Sequence, residues 1–343
     1  MKLRKLIAPL LVVCFFSVNT FAYGPRGHQL VGAIADRRLA RNSAVATKVR
    51  QLLDGLTLAQ AATLPDQIKS WDDCGSRPPS PDPVTDRQRV NNELRAFVAA
   101  NKCNMHPTHS EFHFTDVPVI GGEKYADGTV GRGEFDIVQM IPFCIRVLRG
   151  EEPETNSRAI TKTIAVILIT HYLGDIHQPL HVGADFFKAD GTAFHPVAGA
   201  EGFADQGGNK LTLFTFSGKK FNAVGNLHSF WDGKSVDRAF GQTADAAWAR
   251  QFAAQTPARW KLTGDVETWA EQMANDILPF AREARRRLQY RNIRIVPGEH
   301  FIASGEARER RRGSYSSWAA NVVRQEIHKG GWRLAAVLEQ SLR

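Results

Sequence analysis

Three histidines and an aspartate fall within one short segment, Thr170-His171-Tyr172-Leu173-Gly174-Asp175-Ile176-His177-Gln178-Pro179-Leu180-His181. His171 and Asp175 are four residues apart, so on a helix they project from the same face. The apolar run Ile164 to Leu173 predicts that helix, and Pro179 should break it, so that His181 swings back on the following loop. A run this apolar is buried, and polar groups emerging from it need partners. The plainer alternative is a helix end whose polar residues face water. A second His-to-Asp pair with the same spacing, His228 and Asp232, stands in Asn226-Leu227-His228-Ser229-Phe230-Trp231-Asp232. By itself it could be a surface ion pair at a helix start. Imidazole nitrogen and carboxylate oxygen are ordinary zinc ligands, and two such pairs could each supply half of a tetrahedral shell.

Further ligand types lie earlier in the chain. His28 follows Gly24-Pro25-Arg26-Gly27, Asp66 stands in Leu64-Pro65-Asp66-Gln67-Ile68-Lys69-Ser70-Trp71, and His113 stands in Glu111-Phe112-His113-Phe114-Thr115-Asp116. A chain cleaved before Tyr23 would add a free α-amino group and its first carbonyl as a chelating pair. The set of His28, His113, His171, His181 and His228 with Asp66, Asp175 and Asp232 is more than one zinc requires.

Most of the elements that must position these groups read as helices. Apolar residues recur at three- and four-residue spacing over 27–41, 43–54, 57–71, 85–102, 133–149, 156–175, 226–233, 241–254, 262–287 and 315–342. Alternation over Lys210 to Phe216, then Ser217-Gly218 and Lys220 to Val224, predicts one β-hairpin. Arg77 to Pro83, Asp190 to Gly208 and Val296 to Gly305 read as surface loops, the second long enough to border a site. The expected fold class is all-α, a single mainly helical domain over 23–343 with one small β-hairpin.

The 343 residues are 43 % apolar and 23 % charged, which excludes a disordered tail or a fibre. Lys plus Arg number 44 against 35 Asp plus Glu, a modest basic excess that suits nucleic acid or phosphoesters as well as an ordinary globular surface. Lys2, Arg4 and Lys5, the apolar run Leu6 to Val18 and the ending Thr20-Phe21-Ala22 have the grammar of a secretory signal peptide over 1–22. The expected product is secreted or periplasmic, with no stable membrane anchor and no second chain required. Cys14 would leave with the leader; Cys74 and Cys103 could pair in an oxidising compartment, and Cys144 reads as buried.

The ordered series of motifs closely resembles the zinc-dependent single-strand-specific nuclease and 3′-nucleotidase family of fungi and plants, related in fold to the bacterial zinc-dependent phospholipases C. The series covers nearly all of 23–343: aromatic-Gly-x-x-Gly-His at Tyr23 to His28, the Asp66 segment ending in Ser70-Trp71, His-Phe-x-Asp at His113 to Asp116, His171 to His181, Gly-Gly-Asn at Gly207 to Asn209, Asn226 to Asp232, and Gly-x-Arg-Leu-Ala at Gly331 to Ala335.

The resemblance implies three Zn2+ ions. Asp66, His113, His171 and Asp175 would hold the first, and His181, His228 and Asp232 the second. The Tyr23 amino and carbonyl groups, His28 and Asp175 would hold the third. It further implies catalytic roles for Asp66 and Lys69, base stacking on Phe114 and base-edge recognition by Asp116. The substrates would be single-stranded DNA and RNA, cut to 5′-mononucleotides, and 3′-nucleotides. Tyr23 departs from the family's usual tryptophan, and the segment Val182 to Gly208 departs from the fungal pattern. His106, His109, His177, His195, His300 and His328 fall outside the ligand pattern, with His177 placed to support ligands from behind. Two other readings share the same residues. One is a zinc-dependent phospholipase C, against which Asp232 counts because those enzymes carry glutamate there. The other is an exported zinc-binding protein without catalysis.

Overall fold

Lys162–Asp175 is apolar all round, and a helix without a polar face has nowhere to lie but the interior. Every residue from Thr163 to Asp175 is buried, and the Thr161 side chain caps its start by accepting the Ile164 N–H. The computed structural model describes residues 23–71, 82–84, 86–102, 105, 107–217, 220–255 and 257–343. The expected leader, Cys74, Cys103 and His106 lie outside them.

Around this central helix pack Gly24–Leu39, Ile137–Arg149 and Tyr315–Ser341. The last, a long C-terminal helix, approaches its neighbours through paired glycines. A Cβ on Gly330 would lie 2.8 Å from the Leu173 carbonyl oxygen of the central helix, and one on Gly331 would lie 2.6 Å from Ile34 Cβ. Side chains at these positions would push the three helices apart, so the contact needs hydrogen at both. Trp269–Arg286 packs against Ile137–Arg149. Buried apolar side chains form one contiguous core reaching from Tyr23 to Leu342.

The long helices fall on the expected segments, though those expected over 156–175 and 262–287 begin only at Lys162 and Trp269, and two others differ more informatively. The expected helix over 57–71 is broken into Leu58–Ala61, Leu64–Gln67 and a 3-10 turn Ile68–Trp71. Pro65 sits in the first turn of the second piece, where its missing N–H costs nothing, and Asp66 follows it at the new helix start. The expected helix over 226–233 is one short turn, Leu227–Ser229, followed by a π-helical turn, Phe230–Lys234, and then Ser235–Phe240.

The all-α expectation needs correction: the fold is mainly helical but mixed. The hairpin is present as Leu211–Ser217 and Lys220–Asn226, yet it is half of a four-stranded sheet in the order Lys220–Asn226, Leu211–Ser217, Ser304–Glu309, Leu288–Arg294. Ser304–Glu309 runs parallel to Leu211–Ser217 and antiparallel to Leu288–Arg294. The segment Ser-Gly-Glu-Ala-Arg-Glu has almost no apolar residue to announce a strand. It is held because it fills a slot between two strands, where backbone pairing and burial of Gly305, Ala307 and Glu309 override its weak propensity. Glu309 is buried and accepts N–H groups from Gly313 and Tyr315, tying the sheet to the start of the C-terminal helix.

Shorter pairings lie near the ligand segments, Val117–Pro118 with Gly183–Ala184 and Phe186–Phe187 with Ala193–Phe194 and Phe203–Ala204. The stretch 190–208 is therefore not wholly a surface loop, since Phe203 and Asp205 are buried. Among the described residues no helix is long and apolar enough to cross a membrane. Gly331→Ala is expected to lower the free energy of unfolding by about 1–3 kcal/mol through overpacking, measured by urea denaturation, with the alanine tolerated freely if the helices can separate without loss.

Candidate metal centre

The last turn of the central helix delivers His171 and Asp175 together, with His171 Nε2 3.2 Å from Asp175 Oδ2. His113, at the end of the 3-10 turn His109–His113, brings its Nδ1 to 2.9 Å from the same oxygen and to 3.0 Å from His171 Nε2. The other Asp175 oxygen faces the Gly24–Leu39 helix, where His28 Nε2 lies 3.3 Å away. The His28 ring stacks on His171 with centroids 3.9 Å apart, which fixes both imidazole planes. Asp66 enters from the broken helix, its Oδ1 3.6 Å from His171 Nε2 and 2.7 Å from Lys69 Nζ. The second pair is assembled by the 3-10 turn Pro179–His181 and the helix start after Asn226. His181 and His228 have their Nε2 atoms 3.0 Å apart, and His228 Nε2 lies 3.4 Å from Asp232 Oδ2. Tyr23 is buried against this pair, its N–H 3.2 Å from Asp232 Oδ1, while its carbonyl accepts the Gly27 N–H.

Among the described residues, three groups each hold side-chain ligand atoms within 4.8 Å of one another: Asp66, His113 and His171; His28, His171 and Asp175; and His181, His228 and Asp232. All eight side chains are buried.

The backs of the imidazoles decide which nitrogens are free. His171 Nδ1 donates to the Ala62 carbonyl at 2.7 Å, His181 Nδ1 to the His113 carbonyl at 2.8 Å, and His228 Nδ1 to the Gly207 carbonyl at 2.9 Å. Because a carbonyl can only accept, each Nδ1 carries the proton and a neutral ring presents a lone pair from Nε2. The two Nε2 atoms of His181 and His228 therefore point lone pair at lone pair, an arrangement that is repulsive unless a cation sits between them. His28 Nδ1 and Nε2, Asp175 Oδ1 and Asp232 Oδ2 are buried without a hydrogen-bond partner. Orphaned polar atoms of this kind, in a donor set of imidazole and carboxylate, fit divalent metal ions.

The electrostatics favour the ligating forms. Burial holds His28, His113, His181 and His228 below the ordinary imidazole pKa, His228 at about 3, so these four rings are neutral at neutral pH. His171 and Asp232 are the exceptions: Asp175 and Asp66 outweigh the burial of His171 and raise it, and burial pushes the Asp232 carboxyl well above the ordinary carboxylate range. Burial pushes the Asp66 carboxyl up, but Lys69, His171 and His113 together bring it down to about 2. Asp66 is therefore an anion at neutral pH.

Beside the centre lies a recess of about 250 Å3 lined by Phe114, Asp116, Leu180, Gln206, Gly207, Asn209 and His228. Phe114 is 38 % exposed, unusual for a phenylalanine and suited to a stacking platform. Burial and the nearby Asp205 raise the Asp116 carboxyl to about 7. Gly207 has φ +60°, and a Cβ there would lie 2.4 Å from the Leu180 carbonyl, so the loop passes close enough to hold His228 only as glycine.

The profile of the S1/P1 nuclease family matches residues 23–343 of this sequence. The chain belongs to the S1/P1 nuclease family. It is similar to Endonuclease 5 of Arabidopsis thaliana, 23 % identical over 98 % of this chain and 96 % of the relative, and to Endonuclease 4 of the same plant, 24 % identical over 98 % and 95 %. A partial similarity to Arabidopsis Endonuclease 3 runs at 26 % identity over 54 % of each chain. The protein is accordingly a nuclease, a hydrolase with nucleic acid as its substrate.

Some supporting residues of this nuclease centre carried no sequence signal of their role. Gln178 donates to Asp232 Oδ1 at 3.0 Å and so fixes that carboxylate, although it stood in full view within the His171 to His181 segment. Arg285, wholly buried, pairs with Asp205 and donates to the Gly183 carbonyl, bracing the strand and loop on either side of the recess. No local pattern could announce a partner 80 residues away. His177 makes no hydrogen bond to the eight candidate ligand side chains, but it holds Tyr23. Its Nδ1 bonds to the Leu173 carbonyl, its Nε2 faces Arg333 at 3.2 Å, and its carbonyl accepts the Tyr23 hydroxyl. Cys144 is buried with a free thiol.

His171 serves two of the three ligand groups and His228 one. In metal analysis of protein passed through a desalting column, His171→Ala is therefore expected to retain less metal than His228→Ala; equal retention would mean that the groups around His171 hold a single ion.

Proposed function

We propose that this nuclease is an exported zinc-dependent phosphodiesterase that hydrolyses single-stranded DNA and RNA to 5′-mononucleotides and also removes 3′-phosphates. One observation carries the reading: neutral imidazole lone pairs and partnerless carboxylate oxygens face one another in a buried centre that opens beside a recess with an exposed aromatic platform. Asp66, His113, His171 and Asp175 would hold one ion, His181, His228 and Asp232 a second, and His28 and Asp175 with the amino and carbonyl groups of a chain starting at Tyr23 a third. The two oxygens of Asp175 face different imidazoles, which suits it to bridging two ions. Bound zinc would supply a water acidic enough to ionise near neutral pH and an electrophile for the phosphoryl and departing oxygens.

The chain's own groups account for the rest. Asp66, anionic and held by Lys69, accepts a hydrogen bond from the attacking water and aims it in line with the departing oxygen. Lys69, partly exposed at the rim, donates to the charge that builds on the phosphate oxygens in the transition state. Phe114 stacks the base and Asp116 meets its polar edge; stacking tolerates every base because each has a π-face. Removal of a 3′-phosphate needs recognition of the nucleoside that carries it. The base in the recess beside His228 therefore belongs to the nucleoside on the 3′-oxygen side of the cleaved bond.

The test is zinc analysis of protein beginning at Tyr23, with hydrolysis of single-stranded DNA, RNA and phosphatidylcholine before and after chelation. Three zinc ions per chain and chelator-sensitive cleavage of both nucleic acids are expected. Lipid cleavage alone, or zinc without hydrolysis, would overturn the reading. Asp66→Asn is expected to lower kcat by about 10²–10⁴-fold, and an undiminished rate with full zinc content would remove Asp66 from the mechanism.

A further inference from the structure

Phe114 borders two recesses. One is the cavity beside His228 described above; the other, of about 320 Å3, is lined by Pro107, Thr115, Gly131, Gly133, Glu134 and Phe135 among others. The backbone explains the division. Phe114 is fully extended, with φ −150° and ψ 168°, so successive side chains alternate in direction. Asp116 lines the first recess and Thr115 the second, with the Phe114 ring at the rim of both. The partition is firm: the Gly131 carbonyl accepts the Asp116 N–H at 2.7 Å and the Thr115 hydroxyl at 3.1 Å. None of the eight candidate metal-ligating side chains lines the second recess.

The chemistry of the second recess suits a ring rather than a phosphate. Its cation, Arg132, is committed to Glu123 at 2.8 Å and to the carbonyls of Lys124, Tyr125 and Val130. Asp136 is likewise occupied, by the Tyr125 hydroxyl and the N–H groups of Val138 and Gln139. What remains open is the Phe114 ring and the exposed Glu134 carboxylate, an acceptor for an exocyclic amine that would repel a phosphate; the Phe135 ring carries the Arg158 guanidinium at 4.2 Å, and Glu111 spends one oxygen on the Thr108 N–H.

We propose, on the basis of the nuclease reading above, that the second recess seats the neighbouring nucleobase of the same strand, with Phe114 standing between two successive bases. Because this recess lies away from the ligand groups, its occupant is the base 5′ to the one seated beside His228. The enzyme then reads two bases upstream of the cut, and substrates long enough to supply both are cleaved more efficiently.

The glycine at 133 makes the test possible. A Cβ there meets nothing closer than Asp136 at 3.8 Å, so a side chain can leave the backbone at this position without a clash at its first atom. The substrates are a dinucleotide, a trinucleotide extended by one 5′ nucleotide, and the same trinucleotide with its 5′ residue abasic, all read at the 3′-terminal phosphodiester. For the parent protein, kcat/KM for the trinucleotide should exceed that for the dinucleotide about tenfold, the worth of one stacked base, and the abasic 5′ residue should forfeit the gain. Gly133→Trp should abolish the gain while cutting the dinucleotide at the parental rate. A gain that survives the abasic residue would come from the added phosphate and overturn the subsite, as would a gain that survives Gly133→Trp or an equal loss on both lengths. Should Gly133→Trp fail to fold, the abasic comparison on the parent protein decides alone. A parent protein that cuts none of the three defeats the nuclease mechanism itself, an outcome distinct from equal cleavage of all three, which defeats only the second subsite.

Discussion

Asp175 is buried at the end of an apolar helix with His113 and His171 against one oxygen and His28 against the other, and the rest of the architecture follows from keeping those groups in place. A buried carboxylate is tolerable only among positive partners, and buried imidazole nitrogens are tolerable only when each finds a donor, an acceptor or a metal. The protein meets this constraint by fixing the far side of three rings with backbone carbonyls, Ala62, His113 and Gly207. Each carbonyl belongs to a different segment, so the centre is a junction at which several separate pieces of chain must arrive in register.

That requirement accounts for features which packing alone would not ask for. The helix over 57–71 is broken at Ala62 and Thr63, just before Pro65, so that Asp66 and Lys69 pair beside the centre while Ala62 stays behind His171. The π-helical turn at Phe230–Lys234 opens the backbone at Asp232, and π-turns of this sort recur where a helix must present a side chain at an unusual angle. Gly330 and Gly331 let the C-terminal helix close on the central helix and on Gly24–Leu39, which carries His28. The recess beside the centre is stiffened by Arg285 and Asp205, a buried pair whose removal in part would strand a charge.

The candidate ligand set was legible because metal binding needs particular residue types, and the two four-residue His-to-Asp spacings announce shared faces. Asp66 and His113 lacked such spacing and were visible through the ordered motif series. Phe114 and Asp116 were legible as residues, and the cavity between them was not. The second recess across Phe114 was hidden altogether, because its walls come from Pro107 and from Gly131 to Phe135, which have no chemical pattern of their own. The extra strands escaped for a related reason. Leu288–Arg294 follows directly from Trp269–Arg286, and Ser304–Glu309 carries too few apolar residues to show a period.

By itself the sequence determined the mainly helical character of the protein, the central buried helix and which residue types could serve as metal ligands. Those depend on composition and short-range period, which a chain carries before it folds. Tertiary structure alone decided which imidazole nitrogen faces inward, that the two oxygens of Asp175 look toward different rings, that the hairpin gains two partner strands, and that Phe114 stands between two cavities. Each of these is set by a contact between segments far apart in the chain, and such contacts exist only once the core has closed around them.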